Sequence, residues 1–239
     1  MSEILHRRFS ISLRPSNLVF ARFFVDAAMA ACILTFTSRW IAIERSQGVA
    51  HVLELRYGLT AEELMDAVHS RFRLRAALEG AVAEVQMERH IRALPSSVVD
   101  RYESHDKDGY ADFSIWLPGR STALLAECKN VRESSKVGGE CYRENGEVVA
   151  YKVETQKTRA SKEDSTSRYY DVRQFDILGV CIGKKTGCWS DVLFVRVQDL
   201  KRHAAYQEKL AVMQRVPLPT SANLAPWFSD LGALLKSYQ

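Results

Sequence analysis

Hydrophobic and polar positions divide the chain into an apolar N-terminal block, a helical stretch, a strand-rich middle and a mixed C-terminal tail. From Asn17 to about Glu44 the sequence is apolar nearly all round, through Phe20, Phe23, Phe24, Met29, Ile33, Leu34, Phe36 and Trp40. Ser16 stands where an N-cap would. A helix of that kind buries every face, in its own core or against a second copy of the chain. Its longest uncharged run, Ala27 to Ser38, is 12 residues, short of the roughly 20 that a membrane span needs. After a break near Gly48, Thr60-Ala61-Glu62-Glu63 reads as a capping box that opens a helix with Leu64, Val68 and Phe72 on one face. A second helix, or its continuation, covers Leu74 to Leu94 and stops at Pro95.

The middle of the chain changes period. Alternating or compact apolar runs predict strands at 98–103, 110–117, 121–129, 148–157, 175–182 and 191–197. A helix remains open for the fourth of these. Pro118-Gly119 and Asn145-Gly146 supply turn chemistry between strands. Asp199 to Met213 predicts an amphipathic helix, and Pro226 to Tyr238 a short final one in which Trp227, Phe228, Leu231, Leu234 and Leu235 pack. The expected fold class is α/β, a mixed central β-sheet flanked by helices. It divides as a helical segment over 1–60, a core over 61–200 and a C-terminal helical segment over 201–239 that packs on the core.

Composition narrows this picture only a little. The 239 residues are 46% hydrophobic and 26% charged, with a formal net charge of +4. That suits a soluble globular protein and permits a phosphate-bearing partner without requiring one. Five cysteines, odd in number and without a Cys-x-x-Cys pair, point to reduced thiols in the cytoplasm. Six scattered histidines form no His-Glu-x-x-His, so a histidine-based metal site is not expected. Counted from Asp106 or Asp108, the loop before residue 112 lacks the glycine and glutamate of a calcium-binding EF-hand.

Chemistry concentrates between Asp106 and Lys129. Asp112 opens the strand Phe113-Ser114-Ile115-Trp116, and the next strand ends in Glu127-Cys128-Lys129. Side chains alternate along a strand, so Glu127 and Lys129 share a face while Cys128 takes the other. Pairing of the two strands brings Asp112 to Glu127. Two carboxylates hold Mg²⁺ while leaving room for water and phosphate, and an adjacent ammonium orients the water or counters developing charge. Gly109-Tyr110-Ala111-Asp112, fourteen further residues and then Glu127-Cys128-Lys129 together resemble the PD-(D/E)XK nuclease superfamily, which includes many restriction endonucleases.

That resemblance implies a restriction endonuclease-like core over residues 74–197 and Mg²⁺-dependent hydrolysis of DNA, with Mn²⁺ able to substitute. Asp112 and Glu127 would ligate the metal and Lys129 would position or activate water. The helix before the Asp strand would add a further acid, Glu84, with Glu79 as competitor; on a helix the two point about 140° apart. Gln156 and Lys157 would act on the segment after the Glu-x-Lys. Arg159, Arg168 and Tyr169 are further candidates for contact with nucleic acid, through phosphates and stacking. Residues 129–173 hold 10 Lys and Arg against 8 Asp and Glu, so no strong basic patch singles them out. A homodimer is expected because cutting both strands commonly uses two sites, and a cognate methyltransferase or another defence-system subunit is a further expected partner. The competing readings are a catalytically silent nuclease-fold subunit that binds nucleic acid or assists assembly, and an interaction protein whose Glu-x-Lys is a solvated pair. RNA remains open as a substrate.

Overall fold

A computed structural model describes residues 50–107, 109–133, 139–157 and 161–239. The expected helix 17–44, Asp108 and Arg159 lie outside the described residues. The chain divides into two units, Met1–Ala67 and Val68–Gln239.

In the first unit, α1 (Val52–Tyr57) is bounded by its own local chemistry. The His51 ring accepts from Leu53 N, Glu54 accepts from His51 N, and Gly58 closes the helix at φ 65°. A left-handed φ of that kind is where glycine costs least. Helix α2 (Ala61–His69) begins at the expected capping box, with Thr60 N donating to Glu63 Oε2 at 2.8 Å and Glu63 N to Thr60 Oγ1 at 3.2 Å.

The second unit takes in the last residues of α2 and then α3 (Phe72–Arg92), which buries Ala83, Met87 and Ile91, one position per turn. That stripe packs on a five-stranded sheet built from β1 (Arg101–Ser104), β2 (Phe113–Trp116), β3 (Leu124–Asn130), β6 (Ile177–Cys181) and β7 (Val192–Arg196), in the order β1-β2-β3-β6-β7. The β3–β6 pair is parallel and the others antiparallel, so the sheet is mixed, as expected. Strand β6 is buried at every position, and its alternate residues feed two cores. Ile177 and Cys181 join Met87 and the C-terminal helix α5 (Leu231–Lys236), whereas Leu178 and Val180 join Val153, Leu210 and Val216 on the opposite face.

That opposite face is covered by a second sheet, β4 (Cys141–Glu144), β5 (Glu147–Glu154) and β8 (Met213–Pro217). Strand 148–157 was expected in the central sheet and belongs here instead. Both edges of β3 are already taken, by β2 and β6, so β5 finds its partners in β4 and β8. The β4–β5 hairpin turns on Asn145 and Gly146 at φ 51° and 87°, two positive values that suit the twist of paired strands.

Three other expectations need correction. Val98 and Val99 sit in a turn, their amides donating to Pro95 O, and β1 starts only at Arg101. Residues 199–213 form no amphipathic helix: after a short 3-10 turn (Val197–Asp199) the segment makes backbone bridges, Arg202 with Leu210 and Lys209 with Asp171, then enters β8. Its polar centre finds tertiary partners that a helix could not offer. Buried Gln214 spans Lys201 N and O, and Thr155 Oγ1 reaches Ala211 O. The last helix is shorter than 226–238 because Phe228 pairs with Phe194 in extended backbone and Asp230 caps α5 through Ala233 N. Trp227, Leu231, Leu234 and Leu235 are buried packing residues, and Phe228 packs against the core.

The turn after β6 is a single helical turn, α4 (Gly183–Thr186). A Cβ at Gly183 would stand 2.7 Å from Trp189 Cα and 3.1 Å from Cys188 O. Gly183→Ala therefore drives backbone against backbone, with an expected loss of about 1–3 kcal/mol. Thermal denaturation should show a melting temperature lower by roughly 3–10 °C.

Candidate active site

The register of β2 on β3 decides the geometry. Phe113 pairs with Ala126, so the next position places Asp112 across from Glu127, where antiparallel neighbours share a face. The Asp112 carbonyl accepts from His105 N at 2.8 Å, and its Oδ2 accepts from Cys128 N at 2.6 Å. The carboxylate is thereby folded onto β3. Two residues apart on that strand, Glu127 Oε1 and Lys129 Nζ form an ion pair. Tyr170 OH donates to the same Glu127 oxygen at 2.5 Å. Cys128 points into the core shared with α3, and burial pushes its thiol well up.

Charge is crowded here. Glu127 is buried, at 4% exposure. Burial first, and then the Glu127 charge, raise Asp112 to about 7, against the pull of Lys129 and the Cys128 amide. Burial works to lower Lys129, but Glu127, Tyr170 and Asp112 together outweigh it, and its pKa lies above the ordinary lysine value. Tyr170 is also held above its usual value, by burial first and then by Glu127 against Lys129, so it remains a donor.

Helix α3 carries Glu84 to the rim of this centre. Desolvation raises its carboxyl; the Lys129 charge opposes this, while Asp106 and Glu127 add to it. Glu79 faces elsewhere, as the helical spacing predicts. Its carboxylate pairs with Lys184 at 2.5 Å, and its carbonyl accepts from Asn130 Nδ2 at 2.8 Å.

Among the described residues, Asp112 Oδ1 and Glu127 Oε2 accept no hydrogen bond, which leaves each carboxylate an oxygen to offer. Also among the described residues, no three of His, Cys, Asp and Glu gather closely enough to enclose a metal by themselves. The donor set is therefore a pair of hard carboxylates with a third acid at the rim. Mg²⁺ fits such a set, since it is commonly held by one or two carboxylates with water and phosphate completing its shell.

The segment after the Glu-x-Lys also converges on this place. Gln156 bridges Tyr169, and its side chain donates to Glu154. Lys157 N donates to Arg168 O at 2.8 Å, and Lys157 Nζ lies 5.9 Å from the Tyr170 ring centre. Gln156, Lys157, Arg168 and Tyr169 are thus side by side. Sequence reasoning missed Tyr170 as a site residue, because its bond to Glu127 joins segments 43 residues apart.

A cavity of about 620 Å³ lies elsewhere, between β8 and the C-terminal segment, lined by Tyr142, Lys201, Arg215 and Trp227 among others. No helix among the described residues is long and apolar enough to cross a membrane. The four cysteines described are free, three buried and Cys188 exposed.

No protein-family model matches the chain, and no curated protein matches it. Among solved structures it is similar to a bacterial homing endonuclease, I-Ssp6803I, at 15% identity and a TM-score of 0.39, over 63% of this chain and 83% of that one.

Proposed function

We propose that this chain is a metal-dependent endonuclease that hydrolyses DNA phosphodiester bonds, most simply as a type II restriction or related defence enzyme of the PD-(D/E)XK kind. One observation carries the reading. Asp112 and Glu127 face each other where β2 begins against β3, beside Lys129, and Asp112 is raised to about 7 by burial and by that neighbour. A fold that serves only stability gains nothing from two buried carboxylates with one shared cation. A divalent cation relieves the surplus negative charge.

Each residue then has a distinct task. Asp112 and Glu127 would hold the cation, and Glu84 would complete the acidic cluster from the rim. Bound there, Mg²⁺ or Mn²⁺ would acidify a water and neutralise charge on the phosphoryl group. Lys129, kept protonated by Glu127, is a poor base at neutral pH. It acts as a fixed cation and donor that orients the attacking water and stabilises the pentavalent phosphoryl group. Tyr170 holds Glu127 in place. Gln156, Lys157, Arg168 and Tyr169 guide the DNA strand, and a homodimer presents two such centres to a duplex.

Supercoiled plasmid and linear duplex incubated with Mg²⁺, Mn²⁺ or EDTA test this directly. Nicked and linear products that form only with metal support the reading; cleavage that persists in EDTA sinks it. Binding without cleavage would assign the catalytically silent role instead. Within the site, Glu84→Gln should lower the rate roughly 10- to 100-fold, the usual cost of losing an outer carboxylate at a metal centre. Glu79→Gln should leave the rate within about threefold and lower stability by about 1 kcal/mol, the scale of a partly exposed ion pair.

A further inference from the structure

Three aromatic rings form a compact triangle. The Tyr169 ring lies 4.6 Å from His203 with planes 31° apart, His203 lies 5.0 Å from Tyr206 at 28°, and Tyr206 lies 6.2 Å from Tyr169 at 32°. None of the three belongs to either hydrophobic core. Tyr169 and His203 are half-buried, and Tyr206 is 39% exposed. Core packing therefore does not account for them.

Their support is firm. Gln156 bridges Tyr169, Asp171 bridges Lys209 and Arg202 bridges Leu210. Leu210 N donates to Tyr170 O at 2.9 Å, and His203 N to Lys209 O at 2.8 Å. Tyr169 has extended backbone, φ −76° and ψ 135°, so it and its neighbour diverge. Tyr170 turns inward to Glu127, while Tyr169 joins the ring cluster. The cluster is thus one residue along the chain from a group that touches the acidic centre. Lys157 and Arg168 are coupled at its base through Lys157 N and Arg168 O.

We infer that Tyr169, His203 and Tyr206 form a stacking platform for unpaired nucleobases that leads a strand to Asp112 and Glu127. Every base has a π-face, and the exposed Tyr206 ring, braced by both Tyr169 and His203, offers it an aromatic surface. Lys157 and Arg168 supply charge for the adjoining phosphates. Bases inside a duplex already stack on one another, so the platform selects a single strand, a flap or an extruded base. Delivery to the acidic centre rests on the nuclease reading. Stacking itself does not, and it is measured here without metal.

The test is fluorescence anisotropy in EDTA with short labelled single strands of DNA and of RNA, and with a blunt DNA duplex. Tyr206→Ala should weaken single-strand binding at least about fivefold while duplex binding changes less than about twofold, and Tyr206→Trp should bind as tightly as wild type. An equal loss on DNA and RNA assigns the contact to the base; a loss confined to one assigns it to strands of that sugar. The platform is refuted by wild-type single-strand affinity in Tyr206→Ala, by equal loss on duplex and single strands, by Tyr206→Trp falling with the alanine variant, or by a wild-type chain that binds no single strand. Because no cleavage is scored, an inactive but strand-binding chain would leave the platform standing and overturn only the nuclease.

Discussion

Replacing Lys129 with alanine is expected to lower the DNA cleavage rate by roughly 10²- to 10³-fold, the cost of removing one preorganised group that stabilises transition-state charge. Binding to the same DNA in EDTA should change little, because Lys129 lies among acids and is paired with Glu127. The variant also leaves the buried Glu127 carboxylate without its cation, so some stability is lost; Tyr170 still donates to it, and the Lys129 side chain is 26% exposed, which moderates the cost. Rate against Mg²⁺ concentration separates the two effects. A variant that folds, binds and cuts at the wild-type rate removes Lys129 from the mechanism.

Asp112→Asn should abolish metal-dependent cleavage and yet make the metal-free protein more stable at pH 8. The folded carboxyl keeps its proton until about 7, against an ordinary value of 3.8. Between those limits the folded state binds more protons than the unfolded one, so the wild-type protein loses stability as pH rises through that window. Above it the ionised Asp112 carries the whole penalty, a few kcal/mol and at most ~4. Asparagine carries no charge, and its side-chain oxygen can still accept from Cys128 N. Urea denaturation in EDTA should therefore show the variant near wild type at pH 4 and clearly more stable at pH 8. Adding Mg²⁺ at pH 8 should reverse the order, because a ligand that binds only the folded wild type stabilises it by mass action. Lower stability of Asp112→Asn at pH 8 without metal would contradict the crowded-carboxylate account.

Much of this site was readable in one dimension. The alternation of Glu127, Cys128 and Lys129 set their faces, and the turn at Pro118-Gly119 made β2 and β3 neighbours. Antiparallel register then did the rest for Asp112. The angular separation of Glu79 and Glu84 also survived, since helical geometry is local. The misreadings have a common cause. Residues 199–213 have helical amphipathicity, yet bridges to Asp171 and Leu210 and the buried Gln214 hold them extended. Strand β5 has a clear strand period, but period says nothing about which strand it pairs with.

By itself, then, the sequence determined what depends on neighbours along the chain: the strand and helix periods, the capping box at Thr60, the Asn145-Gly146 turn, and the common face of Glu127 and Lys129. Only the tertiary structure decided what depends on distant segments meeting. It moved β5 into a second sheet, brought Tyr170 from 43 residues away to Glu127, and gathered Tyr169, His203 and Tyr206 into one cluster. It also set the carboxylate proton affinities, because burial and the charge of a cross-strand neighbour exist only once the strands have paired.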